Sequence, residues 1–492
     1  MTDLGVRSDS TARRCLFALP PLAGLVAVVA ATGKGLYVSP DAVFYVGTAG
    51  NWIDGQGFTP PPGLPPLEHF PPLFTAVLAA LGKLGLDPLD GARLVNALAF
   101  AAIVVLVGGV VRARSGSPSA ALAASVLTAA AVDLLTYSAS ALSEPLFIVL
   151  GVGALVGVAA YLDRPSPALL AGTSALAAAA FLTRYVGIAL VLAGVTALLG
   201  RRRWVAAGVF GVVAVAPVAA WLTWAGGRGT SDRPIVLHMF GGEYLGQAAR
   251  PLSQWLVPWP KPPIGLLLAL LLVAVGVLVA RRLPASAGPG SHLTWVLLTF
   301  TVAYLAVLLA NRTFTDASGR LDARFLAPLH PIAILLVVPA LWRRKLPAPA
   351  LALAGVLVSA QVVGAAAWTA GGLTDDGISR RGYTAAAWER STLITRVAGL
   401  DGPLYTNAFD ALFLHTGRSS LPIPAERDYL TGRPNPRYAD ELTAIRAGGG
   451  YVAYFDALTF RRSFLPSRAE LVAALPLEVV ATDPLGTLYR LR

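Results

Sequence analysis

The chain has 492 residues, of which 55% are apolar and only 13% charged. A soluble protein carries about a quarter charged residues, so the composition excludes an ordinary water-soluble fold and makes lipid the solvent. The net charge of +12 does not indicate nucleic acid, because the basic residues sit in short clusters between apolar runs and do not line one surface.

Apolar runs near 15–33, 90–111, 118–137, 142–162, 167–183, 185–200, 203–224, 263–280, 292–310, 325–342 and 347–368 predict an all-α polytopic membrane protein of about eleven transmembrane helices. Each is about the length needed to cross roughly 30 Å of hydrocarbon. The first run also fits a cleaved signal peptide, since Arg13 and Arg14 precede it. Cys15 is the single cysteine, which rules out an intrachain disulfide or a cysteine-based metal site.

Loop charges set the direction. Arg7, Arg13 and Arg14; Arg112 and Arg114; Arg164; Arg201 to Arg203; Arg281 and Arg282; and Arg343, Arg344 and Lys345 fall in alternate loops. The positive-inside rule places these loops in the cytoplasm. Segments 34–89, 225–262, 311–324 and the tail 369–492 are then outside. The expected organisation is a transmembrane unit, 1–368, and an extracytoplasmic α/β unit, 369–492. Within the tail, 402–407 and 449–455 read as strands, 467–475 as a helix and the final residues as a strand pair.

In chain order, the candidate residues begin with Asp41, just after the first run. The segment 41–53, with Phe44, Tyr45 and Trp52, suits an interfacial helix. Ser39-Pro40-Asp41 is equally a helix start, with Ser39 as cap and Asp41 facing the helix dipole. Prolines then forbid regular helix until Pro72. Glu68 and His69 precede the run 73–86, which is too short to span easily and reads as interfacial or re-entrant.

Asp133 and Glu144 lie in or beside apolar runs, where an ionisable side chain costs roughly 2.5–3.5 kcal/mol on insertion scales. Each therefore needs a partner or a polar cavity. Glu144, followed by Pro145, also fits a helix first turn. The hairpin 167–200 has short arms, so Arg184 in its "TRYVG" turn is expected below the outer surface, either facing an anion or snorkelling to headgroups. Arg312, Asp316, Arg320, Asp322 and Arg324 crowd the loop before the tenth run, as phosphate-binding forks or as surface pairs of little worth. The loop 225–262 adds Asp232, His238, Glu243, Tyr244 and Arg250, with no regular metal-ligand spacing.

These segments together resemble the membrane glycosyltransferases of superfamily C, which include protein O-mannosyltransferases and the lipid A aminoarabinose transferase. The matching stretches are "SPDAVFYV", "HFPPLFTAVLAALG", "ARLVNALAF", "SEPLF", "TRYVG" and "DARFLAP", in that order over roughly residues 15–340. The tail stretch "LYTNAFDALFLHTGR" resembles the outer domain of some relatives.

The resemblance implies transfer of a sugar from a polyprenyl-phosphate-linked donor to a glycan, lipid or protein acceptor at the outer face of the cytoplasmic membrane, with inversion. It makes Asp41 the general base and Arg184 and Arg324 the candidates for the donor phosphate. Glu144, Asp133, His69, Glu68, Asp322, Arg320, His238 and Glu243 become supporting residues, and Asn407 and Asp410 acceptor contacts. Several subfamilies carry a second acid directly after the first, where this chain has Ala42. That departure leaves open the subfamily and the divalent metal such an acid would support. A transporter or flippase of lipid-linked glycans is the alternative, but it predicts internal repeats and helices broken at the midplane. A non-catalytic membrane scaffold with a degraded site is the other alternative, against which the presence of Asp41, Glu144, Arg184 and Arg324 argues.

Overall fold

A computed structural model describes residues 3–228, 235–238, 242–259, 265, 267, 291–315, 319–343, 347–374, 377 and 381–492, without the side chains of 3–15, 242, 243, 245 and 291. The expected turn at 283–290, nearly all of the expected span at 263–280, Asp232 and Asp316 lie outside the described residues, as does the side chain of Glu243.

The membrane part is helical. Its elements are α1 (Asp3–Ala31), α2 (Pro40–Ile53), α3 (Leu73–Lys83), α4 (Pro88–Ser115), α5 (Pro118–Ala129), α6 (Val132–Ser138), α7 (Glu144–Asp163), α8 (Pro167–Thr183), α9 (Ile188–Leu199), α10 (Trp204–Gly226), α11 (Gly242–Gln254), α12 (Ser291–Phe314), α13 (Ala323–Leu326), α14 (Leu329–Trp342) and α15 (Ala348–Gly372). Among the described residues, five helices are long and apolar enough to cross a membrane: α4, α7, α10, α15 and the His292–Phe314 part of α12. The pair α5–α6, bent by 54°, makes a sixth if it is one broken span.

Among the described residues, the expected count of eleven spans is therefore not confirmed. The remaining apolar runs with described residues form shorter helices, namely Leu16–Ala31, α8, Tyr185–Leu199 and α14. Proline accounts for one of them. Pro328 separates the four-residue α13 from α14, and the 14 residues of α14 rise only about 21 Å at 1.5 Å each. The short run after Pro72 is the 11-residue α3, as its length suggested.

Two devices hold the ends of these helices that face the C-terminal part. Asn96, on α4, is fully buried and donates both amide hydrogens, to the carbonyls of Ser140 (2.7 Å) and Leu142 (2.9 Å). It thereby fixes the turn that leads into Ser143 and Glu144. The extended residues Tyr37 and Val38 lie between that turn and the C-terminal part. Tyr37 exchanges backbone hydrogen bonds with Ala139 and Ala141 (both 3.0 Å), and Val38 accepts one from Tyr383 (3.0 Å). Gly382 is required opposite Val38. Its φ is +83°, and a Cβ there would sit 2.5 Å from the Val38 carbonyl oxygen.

The C-terminal part is a five-stranded sheet of order β2-β1-β3-β5-β4, formed by β1 (Leu404–Thr406), β2 (Leu421–Pro422), β3 (Tyr451–Phe455), β4 (Leu477–Asp483) and β5 (Gly486–Leu491). β1 runs parallel to β2 and β3, and β3, β5 and β4 are antiparallel. The strands expected at 402–407 and 449–455, the closing strand pair and the helix at 467–475 are all present, the helix opening with a Ser467–Glu470 capping box. The two-residue edge strand β2 carries no sequence signal of its own.

The sheet is not tethered by one linker alone. Phe44, Tyr45, Phe74 and Leu78 from α2 and α3 share one buried apolar cluster with Trp388, Leu412, Phe455 and Leu488. A separate cluster, including Phe100, Phe147, Leu155, Phe210 and Leu297, forms the membrane core.

Replacing Asn96 by Ala removes the side-chain donor to the Leu142 carbonyl and leaves the Ser140 carbonyl with only the Leu142 N–H. The expected cost is about 1–3 kcal/mol, read as a lower thermal unfolding midpoint of the detergent-solubilised chain.

Candidate active site

Ser39 caps α2 by accepting from the Ala42 N–H at 3.4 Å, and Pro40 occupies the first turn. The cap is thus supplied without Asp41, whose carboxylate turns to Arg324 instead, Oδ2 to Nη1 at 2.7 Å. Arg324 is held in place by its own local structure. Asp322 caps α13 by accepting from the N–H groups of Arg324 (3.0 Å) and Phe325 (3.4 Å), and Tyr304 donates to the Phe325 carbonyl at 2.9 Å.

The second partner of Arg324 is Glu144. Its Oε1 accepts from Arg324 Nε and, at 2.5 Å, from Arg184 Nη1. The Glu144 side chain is 1% exposed, and among the described residues its Oε2 has no hydrogen-bond partner. The first turn of α7 adds its dipole to the two arginines that keep this carboxylate charged. Arg184 also donates to the Ser143 hydroxyl at 3.3 Å. The four charges form one chain, Asp41–Arg324–Glu144–Arg184, alternating in sign.

Arg184 sits between α8 and the single 3₁₀ turn Tyr185–Gly187 that starts α9, in the short hairpin read from the sequence. The turn needs glycine, since a Cβ on Gly187 would lie 2.6 Å from the Phe181 Cα. The Tyr185 hydroxyl donates to the Glu68 carbonyl (2.8 Å) and accepts from the Trp221 indole (3.2 Å), tying the hairpin to the proline-rich loop.

Two cavities meet here. One, of about 540 Å³, is lined by Asp41, Tyr45, His69, Arg184, Tyr185, Asn311, Thr315 and Arg324. The other, of about 860 Å³, lies between α2, the proline-rich loop and the C-terminal sheet. Asp41, His69 and Phe70 line both. Burial by itself would raise the Asp41 pKa. The charge and hydrogen bond of Arg324, with Arg184 and His69 acting at longer range, outweigh burial and hold the carboxyl below its usual value. The side chain keeps 31% of its surface open. A carboxylate so placed can take a proton from a hydroxyl, and the two guanidinium groups can hold phosphate oxygens.

Of the other candidates, Asp322 acts through the cap just described, and Glu68 contributes its carbonyl. Arg320 is exposed and His238 is fixed through its backbone to the Thr313 carbonyl at 2.7 Å; neither lines either cavity. Asp133 stands apart from Asp41. It binds His330 Nδ1 at 2.9 Å and accepts from the Trp255 indole at 3.1 Å, while Trp255 and His330 stack with centroids 4.7 Å apart.

Asn407 is spent on structure, its amide exchanging two hydrogen bonds with the backbone of Phe455. Asp410 lines the larger cavity, but its Oδ2 is held by Arg461 (2.6 Å) and Tyr383 (2.9 Å) and its Oδ1 by the Ala411 N–H (3.0 Å). Burial, then the Asp410 charge, push the Tyr383 hydroxyl well above its normal pKa, so it remains a donor.

His330, Trp255, Tyr383 and Arg461 were not singled out in the sequence. A histidine at the start of an apolar run is a weak signal for a buried partner to Asp133; the other three offer none. As to a divalent metal, no three His, Cys, Asp or Glu side chains converge to hold one among the described residues. Ala42 is fully buried, and the Glu144 oxygen nearest Asp41's partner is taken by two arginines. Among the described residues, no donor set fits a metal.

No family model and no curated protein matches the chain. Solved structures do. ArnT from Cupriavidus metallidurans in the apo state superimposes with a TM-score of 0.54 at 15% identity over 98% of each chain. The archaeal oligosaccharyltransferase AglB from Archaeoglobus fulgidus, in complex with an inhibitory peptide and a dolichol-phosphate, gives 0.52 at 13% identity over 98% of this chain and 74% of its own. The arabinofuranosyltransferase AftD from Mycobacteria gives 0.52 at 18% identity over 97% of this chain and 41% of its own, so this chain spans well under half of AftD. The chain shares its fold with these three solved structures.

Glu144→Ala leaves Arg184 and Arg324 without their shared counter-charge. Breaking a buried pair in this way costs about 3–5 kcal/mol. Glu144→Ala should therefore unfold well below the parent chain in a detergent melt, whereas Asp41→Asn, at a partly open position, should stay close to it.

Proposed function

We propose that the chain is a membrane glycosyltransferase. It moves a sugar from a polyprenyl-phosphate-linked donor to an acceptor at the outer face of the cytoplasmic membrane, with its N-terminus inside and its C-terminal sheet outside. The observation that carries this is the position of Asp41, in the shared wall of two cavities and paired with an arginine that faces the smaller one. The shared fold supports it, as does AglB, whose solved complex holds a dolichol-phosphate.

In this scheme the donor phosphate lies in the smaller cavity against Arg184 and Arg324. The acceptor approaches from the larger cavity, so the two reactants reach Asp41 from different sides. The acceptor oxygen attacks the anomeric carbon on the face opposite the phosphate, which inverts configuration. Its proton passes to Asp41, and the bond from carbon to phosphate oxygen breaks. The lipid phosphate leaves with the electron pair, its new charge met by the two guanidinium groups. At rest Arg324 suppresses the basicity of Asp41. A phosphate that draws on the same guanidinium would restore it, so the base would be strongest when donor is bound.

Asp41→Asn should lower transfer by about 10²–10⁴-fold in membranes supplied with a lipid-linked sugar. Full activity in a well-folded variant would remove the assignment. The pH profile carries a sign. Because the Asp41 pKa lies below the ordinary value of about 3.9, the carboxylate form is complete above that value and is lost only as pH falls through the lowered one. The acidic limb due to Asp41 should thus begin below about pH 4. In Arg324→Gln, with the main lowering influence gone and burial remaining, that limb should move to higher pH, alongside a weaker hold on the donor.

A further inference from the structure

The larger cavity has a chemistry that the proposed reaction does not by itself require. Its walls are mostly rings and aliphatic side chains: Phe44 and Phe70 on the membrane side, and Phe409, Tyr429, Phe460 and Phe464 from the C-terminal part. We infer that it takes an amphipathic acceptor, with an acyl, prenyl or aryl body among these rings and a hydroxyl or amine directed to Asp41. This rests on the transferase function for the role of Asp41 and specifies the class of molecule that meets it.

The charged and amide side chains Asp410, Arg461 and Asn435 of the wall support the same conclusion, because they are already hydrogen-bonded within the protein. Asp410 is bound by Arg461 and Tyr383. Arg461 also donates to the Asn407 carbonyl, and its guanidinium lies 5.0 Å from the Phe409 ring centre and 5.3 Å from that of Phe460. Asn435 donates to the Ala425 carbonyl (2.9 Å) and to Glu441 (3.0 Å), and accepts from the Arg437 N–H (2.9 Å). A bare oligosaccharide would lose water from its hydroxyls and find these partners already paired, which is costly. An apolar body loses nothing by that exchange and gains from leaving water.

Three of the lining side chains, Leu421, Tyr429 and Phe460, are 51%, 52% and 55% exposed. Large exposed apolar side chains around one cavity mark a binding site more often than a bare surface. The carboxylate of Asp41, 31% exposed, lies where the cavity adjoins the smaller one. Apolar walls with one reactive polar group at the inner end match a molecule that is apolar along its body and polar at one tip. The volume of about 860 Å³ is that of a site for a compact small molecule, within the usual range of about 300–1,000 Å³.

The test uses the full chain in lipid nanodiscs and two photoreactive probes, an octyl glucoside with a diazirine in its alkyl chain and a benzophenone glucoside, with cross-linked peptides mapped by mass spectrometry. Labelling should concentrate on residues 405–429 and 460–465. Octyl or phenyl glucoside should compete it away, whereas maltotetraose should not. Phe460→Glu and Tyr429→Glu, at exposed positions where the fold tolerates change, should each reduce it at least tenfold. The stronger of the two probes assigns the body as alkyl or aryl.

Equal competition by maltotetraose, or undiminished labelling in both variants, would overturn the inference. Asp41→Asn separates it from the reaction. Cavity labelling absent while Asp41→Asn is inactive in transfer defeats the acceptor class alone. Cavity labelling present while Asp41→Asn transfers normally defeats the transferase function alone and leaves an apolar ligand site.

Discussion

A single carboxylate oxygen, Oε1 of Glu144, joins Arg184 and Arg324 at the end of the helical bundle that faces the C-terminal part. It is the counter-charge the two arginines share, and Arg324 has Asp41 as a second. Two guanidinium groups beside the same cavity repel, and an ionised side chain in apolar surroundings survives only with a partner. Glu144 in turn is 1% exposed and could not stay charged without both of them. The three are mutually conditional, and they bring together α7, the turn after α8 and the short α13. Asp41 joins as the outermost member, through an arginine whose charge is already partly used. That is why the most exposed acid of the set is also the one whose basicity responds to what else binds Arg324.

The backbone transmits this arrangement to the C-terminal sheet. Tyr37 and Val38 bridge the α6–α7 turn on one side and Gly382–Tyr383 on the other. Three residues later the chain reaches Asp41. The same turn is pinned from below by Asn96, so Glu144 and Asp41 are located by adjoining pieces of one hydrogen-bonded unit. Tyr383 continues the path into the sheet through Asp410 and Arg461. The shared apolar cluster of α2, α3, Trp388 and Phe455 fills the space between. The larger cavity is therefore a joint product of the first outer loop and the C-terminal part, and neither forms it alone.

Much of the site was legible because lipid makes polar residues conspicuous. Asp41, Glu144, Arg184 and Arg324 each stand out in or beside an apolar run, and loop charge put them on one side. The structure gathers all four, although Glu144 and Arg324 are 180 residues apart. What could not be read was which polar group meets which. Asp133 carried the same signal as Glu144, yet it pairs with His330, because helix rotation and crossing decide partners and hydropathy records neither. Asn407 and Asp410 sat in a stretch resembling an outer domain, and the fold uses both for internal hydrogen bonds. Span continuity was hidden for a related reason: an apolar run broken by Pro328, or bent at Ala130 and Ala131, reads as one segment by composition but folds as two pieces. In the tail, strand patterning was strong enough to place β1, β3, β4 and β5, whereas the two residues of β2 owe their pairing to β1 rather than to any pattern of their own.

The two cavities differ in a way that follows from where their walls come from. The smaller is walled by ends of membrane helices, and its charged members are ones those helices neutralise among themselves. The larger is walled by loops and the sheet, in which Asp410, Arg461 and Tyr383 pair internally so that the sheet can pack onto α2. Charge is thus concentrated on the side where a phosphate would lie and cancelled on the side where an acceptor would lie. Asp41 belongs to both walls because α2 is the element they share. A fold that must neutralise one wall and seal the other leaves, at their junction, a carboxylate that faces a charged wall and an apolar one at once.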